Sequence, residues 1–184
     1  MGVSLSFALN HDNSMSVLDK FIKDRPLHIA SPVALADEVT IESVHLIGLG
    51  VNSDSRGDLI ELMTTREGDQ ADFHHAYQVL AEPGSLRGWI YHRLQSDRIY
   101  FTQGDFEVKL VDLNKESPTF RNRMVLRVGA GRPVLLTIPP YVAHSVINKG
   151  CERAGFINMP TRAYDPSNPD KYRLEVEIEE LLQK

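Results

Sequence analysis

Four histidines of the β-rich part of the sequence could take part in chemistry: His74, His75, His92 and His144. An imidazole titrates near neutral pH, so each of them could move a proton. His74 and His75 lie outside any motif and are interpreted as structural or solvent-facing residues. His92 and His144 each fall in a pattern that places an inward-facing side chain on a strand. These two residues are therefore the candidates for chemistry.

The elements that would position them are mostly strands. Beyond Pro26 the chain consists of short β-forming runs, broken by Gly, Pro, Asn and Asp at the intervals of about 8 to 12 residues that are typical of all-β domains. The clearest pair is IYFTQ and FEVKLVD, which meet at Gly104-Asp105 in a predicted tight hairpin. Strands are predicted near Val39 to Leu49, Gly57 to Thr64, Ala76 to Ala81, Gly88 to His92, Arg98 to Gln103, Asp105 to Asp112, Met124 to Val128, Val134 to Ile138, His144 to Asn148 and Ala154 to Met159.

Two helices are predicted outside this β region. From Ser14 to Asp24 apolar residues recur at spacings of three and four, which indicates a short amphipathic helix. From Leu174 to Leu182 apolar residues alternate with glutamates in a weaker helical pattern. The length of 184 residues suits one domain, with an N-terminal helix and arm over 1–38, a barrel over 39–160 and a C-terminal tail over 161–184.

Bulk properties exclude several classes of protein. The net charge of -5 comes without a block of Lys and Arg, so nucleic acid is not expected as a partner. The single cysteine, Cys151, cannot form an internal disulfide. No apolar run approaches the roughly 18 residues of a membrane span, and the N-terminus does not have the form of a signal peptide. We expect a cytoplasmic protein that does not associate with membranes.

Five motifs, in order along the chain, resemble those of the dTDP-4-dehydrorhamnose 3,5-epimerases, a cupin family. They are Asp54-Ser55-Arg56-Gly57 with Glu61, Arg87 to His92 with Asp97 and Gly104, Asp112 to Phe120 with its Ser117-Pro118-Thr119, Pro139 to His144 with Asn148, and Thr161 to Pro166. The resemblance implies an all-β cupin, or jelly-roll, double-sheet barrel. It also implies a homodimer, a nucleotide-sugar substrate in deoxysugar biosynthesis, and a reaction that needs neither cofactor nor metal.

The sequence departs from that family at its reacting residues. The family's base, a histidine two places after the Arg-Gly dipeptide, falls on Ile90, which cannot take a proton. The family's tyrosine acid falls on Asn158, which has no titrating proton. The family's acidic partner of the base has no counterpart in the C-terminal stretch. We therefore expect a divergent member whose mechanism must be argued from its own residues.

In the first of three interpretations, the protein is an epimerase or isomerase of a nucleoside-diphosphate 4-keto-6-deoxy sugar. His92 shares a strand face with Ile90 and would be the base. The donors near the 4-oxygen would be His144, Asn158 or Tyr164. The diphosphate would be held by Arg56, Arg87 and Arg162, with Glu61 orienting one of these arginines.

Two other interpretations stay open. A metal-dependent cupin enzyme could use His92, Asp97 and His144 as ligands, with Ile90 in the place of a further histidine. A non-catalytic sugar-nucleotide-binding cupin would keep the pocket after losing the chemistry. Metal content and proton exchange distinguish the three.

Overall fold

The computed structural model describes residues 21–23, 26, 29–64, 73–174 and 178. In these ranges the regular structure is almost all β, with one short 3-10 helix, Ala36–Glu38. The strands are β1 (Val33–Ala34), β2 (His45–Gly48), β3 (Val51–Asp54), β4 (Gly57–Ile60), β5 (Tyr77–Ala81), β6 (Leu86–Tyr91), β7 (Asp97–Gln103), β8 (Asp105–Asp112), β9 (Arg123–Gly129), β10 (Val134–Ile138), β11 (Val142–Asn148), β12 (Ala154–Asn158) and β13 (Tyr172–Arg173).

Two antiparallel sheets form the barrel. The first has the strand order β1-β2-β10-β7-β12-β5 and the second the order β13-β6-β11-β8-β9. Strands β3 and β4 form a separate two-stranded hairpin. The expected all-β double-sheet barrel is therefore confirmed.

Side chains alternate along the strands, and the inward set forms one core. On β8 the buried residues Phe106, Val108 and Leu110 point inward at every second position. The ring of Phe106 lies 5.2 Å from that of Phe101 and 5.7 Å from that of Phe156, measured between centroids. Full burial of one such ring stabilises the fold by roughly 1.5–3 kcal/mol. These aromatic rings fill one part of the barrel interior.

The inward faces change from apolar to polar along three strands of the first sheet. On β7 the inward residues run from Phe101 back to Asp97, and on β12 they run from Phe156 to Asn158. On β5 the inward face ends at Tyr77, the direct ladder partner of Asn158. The polar residues therefore collect at one end of the barrel, where they can meet a ligand.

The predicted hairpin between Arg98 and Asp112 is confirmed. Strands β7 and β8 flank Gly104, whose φ of +81° lies in the left-handed region that favours glycine. A Cβ atom at this residue would come within 2.5 Å of the Ala154 Cβ atom. Glycine is thus required here by both backbone conformation and space.

The single long strand predicted from Val39 to Leu49 is wrong in its extent. The strand is limited to His45–Gly48, because Ser43 has a positive φ of 62° and the Val44 N–H donates to the Ile41 carbonyl at 3.3 Å, which forms a turn. The short strands β1, β3 and β13 were not predicted, since segments of two to four residues carry too little periodicity to be recognised.

The predicted terminal helices fall largely outside the described residues. Residues 21–23, at the end of the first predicted helix, have no regular structure. Within the second, Ile178 is helical and buried, and it packs in a cluster with Trp89, Val111 and Ala143 on the outer face of the second sheet. Among the described residues, no helix has the length and apolar character needed to cross a membrane.

Candidate active site

His92, Asp97 and His144 form a buried cluster at the polar end of the barrel. His92 directly follows β6, Asp97 begins β7 and His144 lies in β11, so both main sheets contribute. The Asp97 Oδ2 atom lies 3.2 Å from His92 Nε2 and 3.4 Å from His144 Nε2. All three side chains are at most 5% exposed. One carboxylate therefore bridges two imidazoles away from bulk water.

The second nitrogen of each imidazole also faces an oxygen acceptor. His92 Nδ1 contacts the backbone carbonyl of Asp170, and His144 Nδ1 lies 3.2 Å from the carbonyl of Val142. A carbonyl can only accept a hydrogen bond, so each Nδ1 carries the hydrogen. At His92, whose Nε2 atom lies 3.2 Å from Asp97 Oδ2, that nitrogen then needs either a second proton or a cation between it and the carboxylate. His92 is consequently placed to hold a positive charge.

The pKa values of the cluster reflect this arrangement. Burial lowers the pKa of His92, but the hydrogen bond and charge of Asp97, with the Asp170 carbonyl, outweigh burial and raise it above its ordinary value. Burial alone would raise the pKa of the Asp97 carboxyl, yet His144 and His92 hold it well below its usual range. The raised pKa favours the protonated form of His92, and the lowered pKa favours the ionised form of Asp97.

Asp170 joins the segment after the barrel to this cluster. Its carboxylate accepts hydrogen bonds from the backbone N–H groups of Arg93, Leu94 and Gln95 at 3.0, 2.8 and 3.0 Å. Its own carbonyl contacts His92. The Gln95 side chain in turn donates to Asp97 Oδ1 at 3.1 Å. The turn between β6 and β7 and the ring of His92 are thus fixed by one residue.

Tyr77 and Asn158 lie on the first sheet, facing the same interior space. The Asn158 side chain donates from Nδ2 to the Tyr77 hydroxyl oxygen at 2.9 Å. Its Oδ1 atom accepts from the backbone N–H of Arg98 at 3.2 Å, which fixes the orientation of the amide. Burial, followed by the charge of Asp97, raises the pKa of Tyr77 above its ordinary value, against opposing effects of Asn158 and Arg87.

Two adjoining cavities open beside these groups. The inner cavity has a volume of about 310 Å³ and is lined by Arg87, Asp97, His144, Asn158 and Arg173 among others. The outer cavity has a volume of about 320 Å³ and is lined by His92, Arg162, Tyr164 and Asp170 among others. Tyr77 and Lys171 line both. Together they have the size of a small-molecule site, with a cationic inner end.

The fold brings most of the predicted site residues to these two cavities. Arg87, His144 and Asn158 line the inner cavity, and His92, Arg162 and Tyr164 line the outer one. Arg56 and Glu61 do not join them within this chain. Arg56 lies in the exposed turn between β3 and β4 and pairs with Asp54 at 2.5 Å, while Glu61 lines a separate cavity with Thr137.

Sequence reasoning missed several residues of the site. Tyr77 and Asp170 carry no motif, and Lys171 and Arg173 fall in the segment that was interpreted as a tail. The alternation of side chains along β5 would have identified Tyr77 as an inward-facing residue, because Val79 and Ala81 lie on the buried face of that strand. The contact of the Asp170 carbonyl with His92 spans 78 residues and has no sequence signal.

The cluster also contains the residue types that hold a divalent metal. Ligand atoms of His92, Asp97 and His144 lie within 4.8 Å of one another. Both imidazoles have Nδ1 on a carbonyl, which is the usual outer contact of a metal-bound histidine. The residues therefore fit a metal with three protein ligands, while the aliphatic side chain of Ile90 lines the inner cavity as a non-ligand.

A family model described as polysaccharide biosynthesis C-terminal domain matches residues 52–172. The spore coat polysaccharide biosynthesis protein SpsL of Bacillus subtilis (strain 168) is 33% identical over 134 residues, which cover 73% of this chain and 89% of that protein. The probable low-salt glycan biosynthesis epimerase Agl13 of Haloferax volcanii is 29% identical over 136 residues, which cover 73% of this chain and 87% of that protein.

A solved structure has the same fold. The dTDP-6-deoxy-D-glucose-3,5-epimerase RmlC from Legionella pneumophila, in complex with dTDP-4-keto-L-rhamnose, superposes with a TM-score of 0.69 at 20% identity. The match covers 78% of each chain. At this identity the similarity establishes the barrel, and the site must be argued from its own geometry.

Proposed function

The chain belongs to the polysaccharide biosynthesis C-terminal domain family, and from this membership we propose that it is an epimerase or isomerase of a nucleotide sugar. The proposed substrate is a nucleoside-diphosphate 4-keto-6-deoxy sugar. The reaction begins by removal of a proton from a carbon next to the ketone. Agl13 is named a probable epimerase and the Legionella protein a 3,5-epimerase, which supports this class of reaction.

The observation that carries the proposal is the buried cluster of His92, Asp97 and His144 beside a polar cavity whose lining includes lysine and arginine side chains. Removal of a proton next to a ketone creates an enolate, whose negative charge needs positive surroundings. His92 carries a raised pKa, and Lys171 lines the same pair of cavities. The positive charges of the cavity lining and of the His92 imidazolium would lower the barrier to enolate formation.

We assign the base to His144. The sequence-based hypothesis placed it at His92, and that assignment stays untested. Both nitrogens of His92 face acceptors and its pKa is raised, so the protonated form of His92 is favoured. His144 has longer contacts, 3.2 and 3.4 Å, and lines the inner cavity. His144 can release Asp97 and take a proton, while His92 retains the positive charge.

The diphosphate would lie on the cationic rim. Arg87, Lys171 and Arg173 line the inner cavity, and Arg162 lines the outer one. Arginine and lysine side chains bind phosphate oxygens through charge-assisted hydrogen bonds. The sugar would then occupy the space between this rim and His144. Such an arrangement places the ketone next to the histidine cluster.

A metal-dependent enzyme is the second candidate, because the same cluster offers two imidazoles and one carboxylate. A bound divalent metal would polarise the ketone oxygen as a Lewis acid. His92, Asp97 and His144 would hold it. Metal analysis separates this candidate from the metal-free reaction.

Proton exchange tests the proposed function. The protein is incubated in deuterated water with a dTDP-4-keto-6-deoxy sugar, and deuterium at C3 and C5 is followed by NMR. We expect deuterium to enter at one of these carbons at a rate that scales with protein concentration. Binding of dTDP without any exchange would instead support a sugar-nucleotide-binding cupin without activity.

A further inference from the structure

Strand β13 is two residues long and lies at the edge of the second sheet. In its ladder with β6, Tyr172 pairs with Tyr91 and Arg173 with Ile90. Arg173 and Lys171, the residue just before the strand, line the inner cavity. Because a ladder of two residues has few hydrogen bonds, the position of both cations depends on further contacts of this strand.

The two faces of β13 have different environments. Ile90, the ladder partner of Arg173, lines the inner cavity, so this face of the strand pair points to the substrate space. Tyr91 and Tyr172 are the adjacent ladder pair and therefore project from the opposite, outer face. A contact that holds Tyr172 on the outer face consequently fixes the backbone from which Lys171 and Arg173 reach inward.

An aromatic stack holds Tyr172 on that outer face. Its ring centroid lies 5.0 Å from that of Tyr91, with 22° between the ring planes. The guanidinium carbon of Arg93 lies 4.3 Å from the centroid of the Tyr172 ring, which is the geometry of a cation–π contact. The Tyr141 ring also stacks on Tyr91, at 6.2 Å between centroids. Stacked rings and a cation over a ring each stabilise this arrangement.

The backbone on either side of β13 supports the same register. Before the strand, the Asp170 carboxylate accepts a hydrogen bond from the Arg93 N–H at 3.0 Å, on the residue whose side chain lies over Tyr172. After the strand, the Leu174 N–H donates to the Trp89 carbonyl at 2.9 Å. Since side chains alternate along a strand, a slip by one residue would turn the inward side chains of this segment outward.

We propose that Tyr172 is a positioning residue for the nucleotide. Its ring, held by Tyr91 and Arg93, keeps β13 in register. In that register Lys171 and Arg173 face the inner cavity, where they would bind the diphosphate. This inference rests on the proposed function, which puts the diphosphate on those cations. Tyr172 acts through its neighbours in the chain, because the described residues that line the two cavities do not include it.

Nucleotide affinity tests the role of the ring. Tyr172→Leu removes the stack and keeps an apolar side chain, whereas Tyr172→Phe keeps the ring. By isothermal titration calorimetry we expect Tyr172→Leu to bind dTDP roughly fivefold to tenfold more weakly than the wild type, and Tyr172→Phe to bind within about twofold of it. Phe120→Leu is the matched control and should bind as the wild type. It removes a ring of similar exposure, 39% against 37%, with the Arg121 guanidinium 5.8 Å from its centroid.

A double-mutant cycle separates positioning from a general loss of structure. In the Lys171→Ala/Arg173→Ala background both cations are absent, so Tyr172→Leu has nothing left to position. We expect its effect on dTDP affinity, measured there by NMR titration up to millimolar nucleotide, to fall below about twofold. Arg93→Gln leaves β13 itself unchanged and should weaken dTDP binding in the wild-type background by about two- to threefold.

Other results overturn the inference. Wild-type dTDP affinity in Tyr172→Leu would show that β13 keeps its register without the ring. Equal losses in Tyr172→Leu and Tyr172→Phe would assign the effect to the hydroxyl. An undiminished loss in the protein that lacks both cations would show that the effect does not pass through them. Failure of the wild type to bind dTDP would instead remove the proposed function, and the positioning role with it.

Discussion

Tyr77 and Asn158 are direct partners in the β5–β12 ladder, and their side chains are joined by a hydrogen bond of 2.9 Å. In the epimerases that the motifs resemble, a tyrosine acid stands at the place of Asn158. The phenol in this chain therefore enters the cavity from the neighbouring strand, at the same level of the barrel. Strand β12 thus lacks the tyrosine, and β5 carries one directly beside that position.

The two histidines should differ in their effect on exchange. We expect His144→Gln to reduce deuterium exchange by at least about a thousandfold, because it removes the proposed base. His92→Gln should retain measurable exchange, since it removes a fixed charge. His45→Gln, on the exposed side of β2, is the control and should behave as the wild type. If His92→Gln lost more deuterium exchange than His144→Gln, His92 would be the base.

Asp97→Asn should destabilise the protein by roughly 3–5 kcal/mol, because it removes one partner of a buried charged cluster. Urea unfolding at pH 6, after treatment with a chelator, measures this loss. Asp37→Asn, at an exposed carboxylate of the 3-10 helix, is the control. Equal stability of Asp97→Asn and the wild type would contradict the geometry of the cluster.

The pH dependence of stability follows from the directions of the two pKa shifts. The raised pKa of His92 contributes stability in full below its unfolded value of about 6.5, and this is lost as pH rises through the folded pKa. The lowered pKa of Asp97 contributes above its unfolded value of about 3.9, and this is lost as pH falls toward the folded pKa. The difference in unfolding free energy between the wild type and Asp97→Asn should therefore be largest between about pH 3.9 and about pH 6.5. It should decline at lower and at higher pH.

Nucleotide binding should depend on the cationic rim. We expect Arg87→Ala and Arg173→Ala each to weaken dTDP binding by about tenfold, since a charge-assisted hydrogen bond to phosphate is worth roughly 1.5–3 kcal/mol before exposure to solvent reduces it. Arg153→Ala, which removes an exposed pair with Glu82, is the control. Isothermal titration calorimetry at two salt concentrations measures the dTDP affinity and the part of it that depends on charge. Unchanged affinity in both rim variants would place the nucleotide elsewhere.

Metal content distinguishes the two candidate functions. We expect protein purified without chelator to contain less than about one-tenth equivalent of any transition metal, because a proton on His92 can satisfy the Asp97 carboxylate without a metal. Elemental analysis of the wild type and of His144→Gln provides the measurement. A stoichiometric metal in the wild type that is lost in the variant would favour the metal-dependent enzyme.

Removal of the Asp170 carboxylate should loosen the turn between β6 and β7. Asp170→Ala takes away the acceptor of three backbone N–H groups, and we expect a loss of about 2 kcal/mol in unfolding free energy. The hydrogen-exchange rates of the backbone amides of residues 93–95 should rise, while those of the core strands stay unchanged. Asp165→Ala, whose carboxylate caps a more distant turn, serves as the comparison. Unchanged protection of residues 93–95 would show that other contacts hold the turn.

Much of the fold could be predicted from the sequence. The ten predicted strands all overlap strands of the structure, because alternation of apolar residues between turn residues is a local signal. Five ordered motifs predicted the epimerase-like cupin barrel, and the structural similarity confirms that resemblance. The turn at Ser43 and the two-residue strand β13 depend on tertiary contacts, which no local pattern records.

The site was predictable where it followed strand parity. His92, His144 and Asn158 were identified because a motif placed each on an inward face, and all three line the cavities. Tyr77 obeys the same rule but lies outside any motif. Arg56 has the correct motif and yet projects from an exposed hairpin of this chain, since a motif does not determine where a hairpin lies in the fold.

The contact between the Asp170 carbonyl and His92 has a consequence for how related proteins are compared. Every residue type has a backbone carbonyl, so substitution at this position would preserve the contact as long as the chain kept its path. An alignment records side-chain identity, so a conserved Asp170 would report the carboxylate's hydrogen bonds to the turn and not this contact. Relatives that share this mechanism would be found by the course of their chain after the barrel, rather than by side-chain identity.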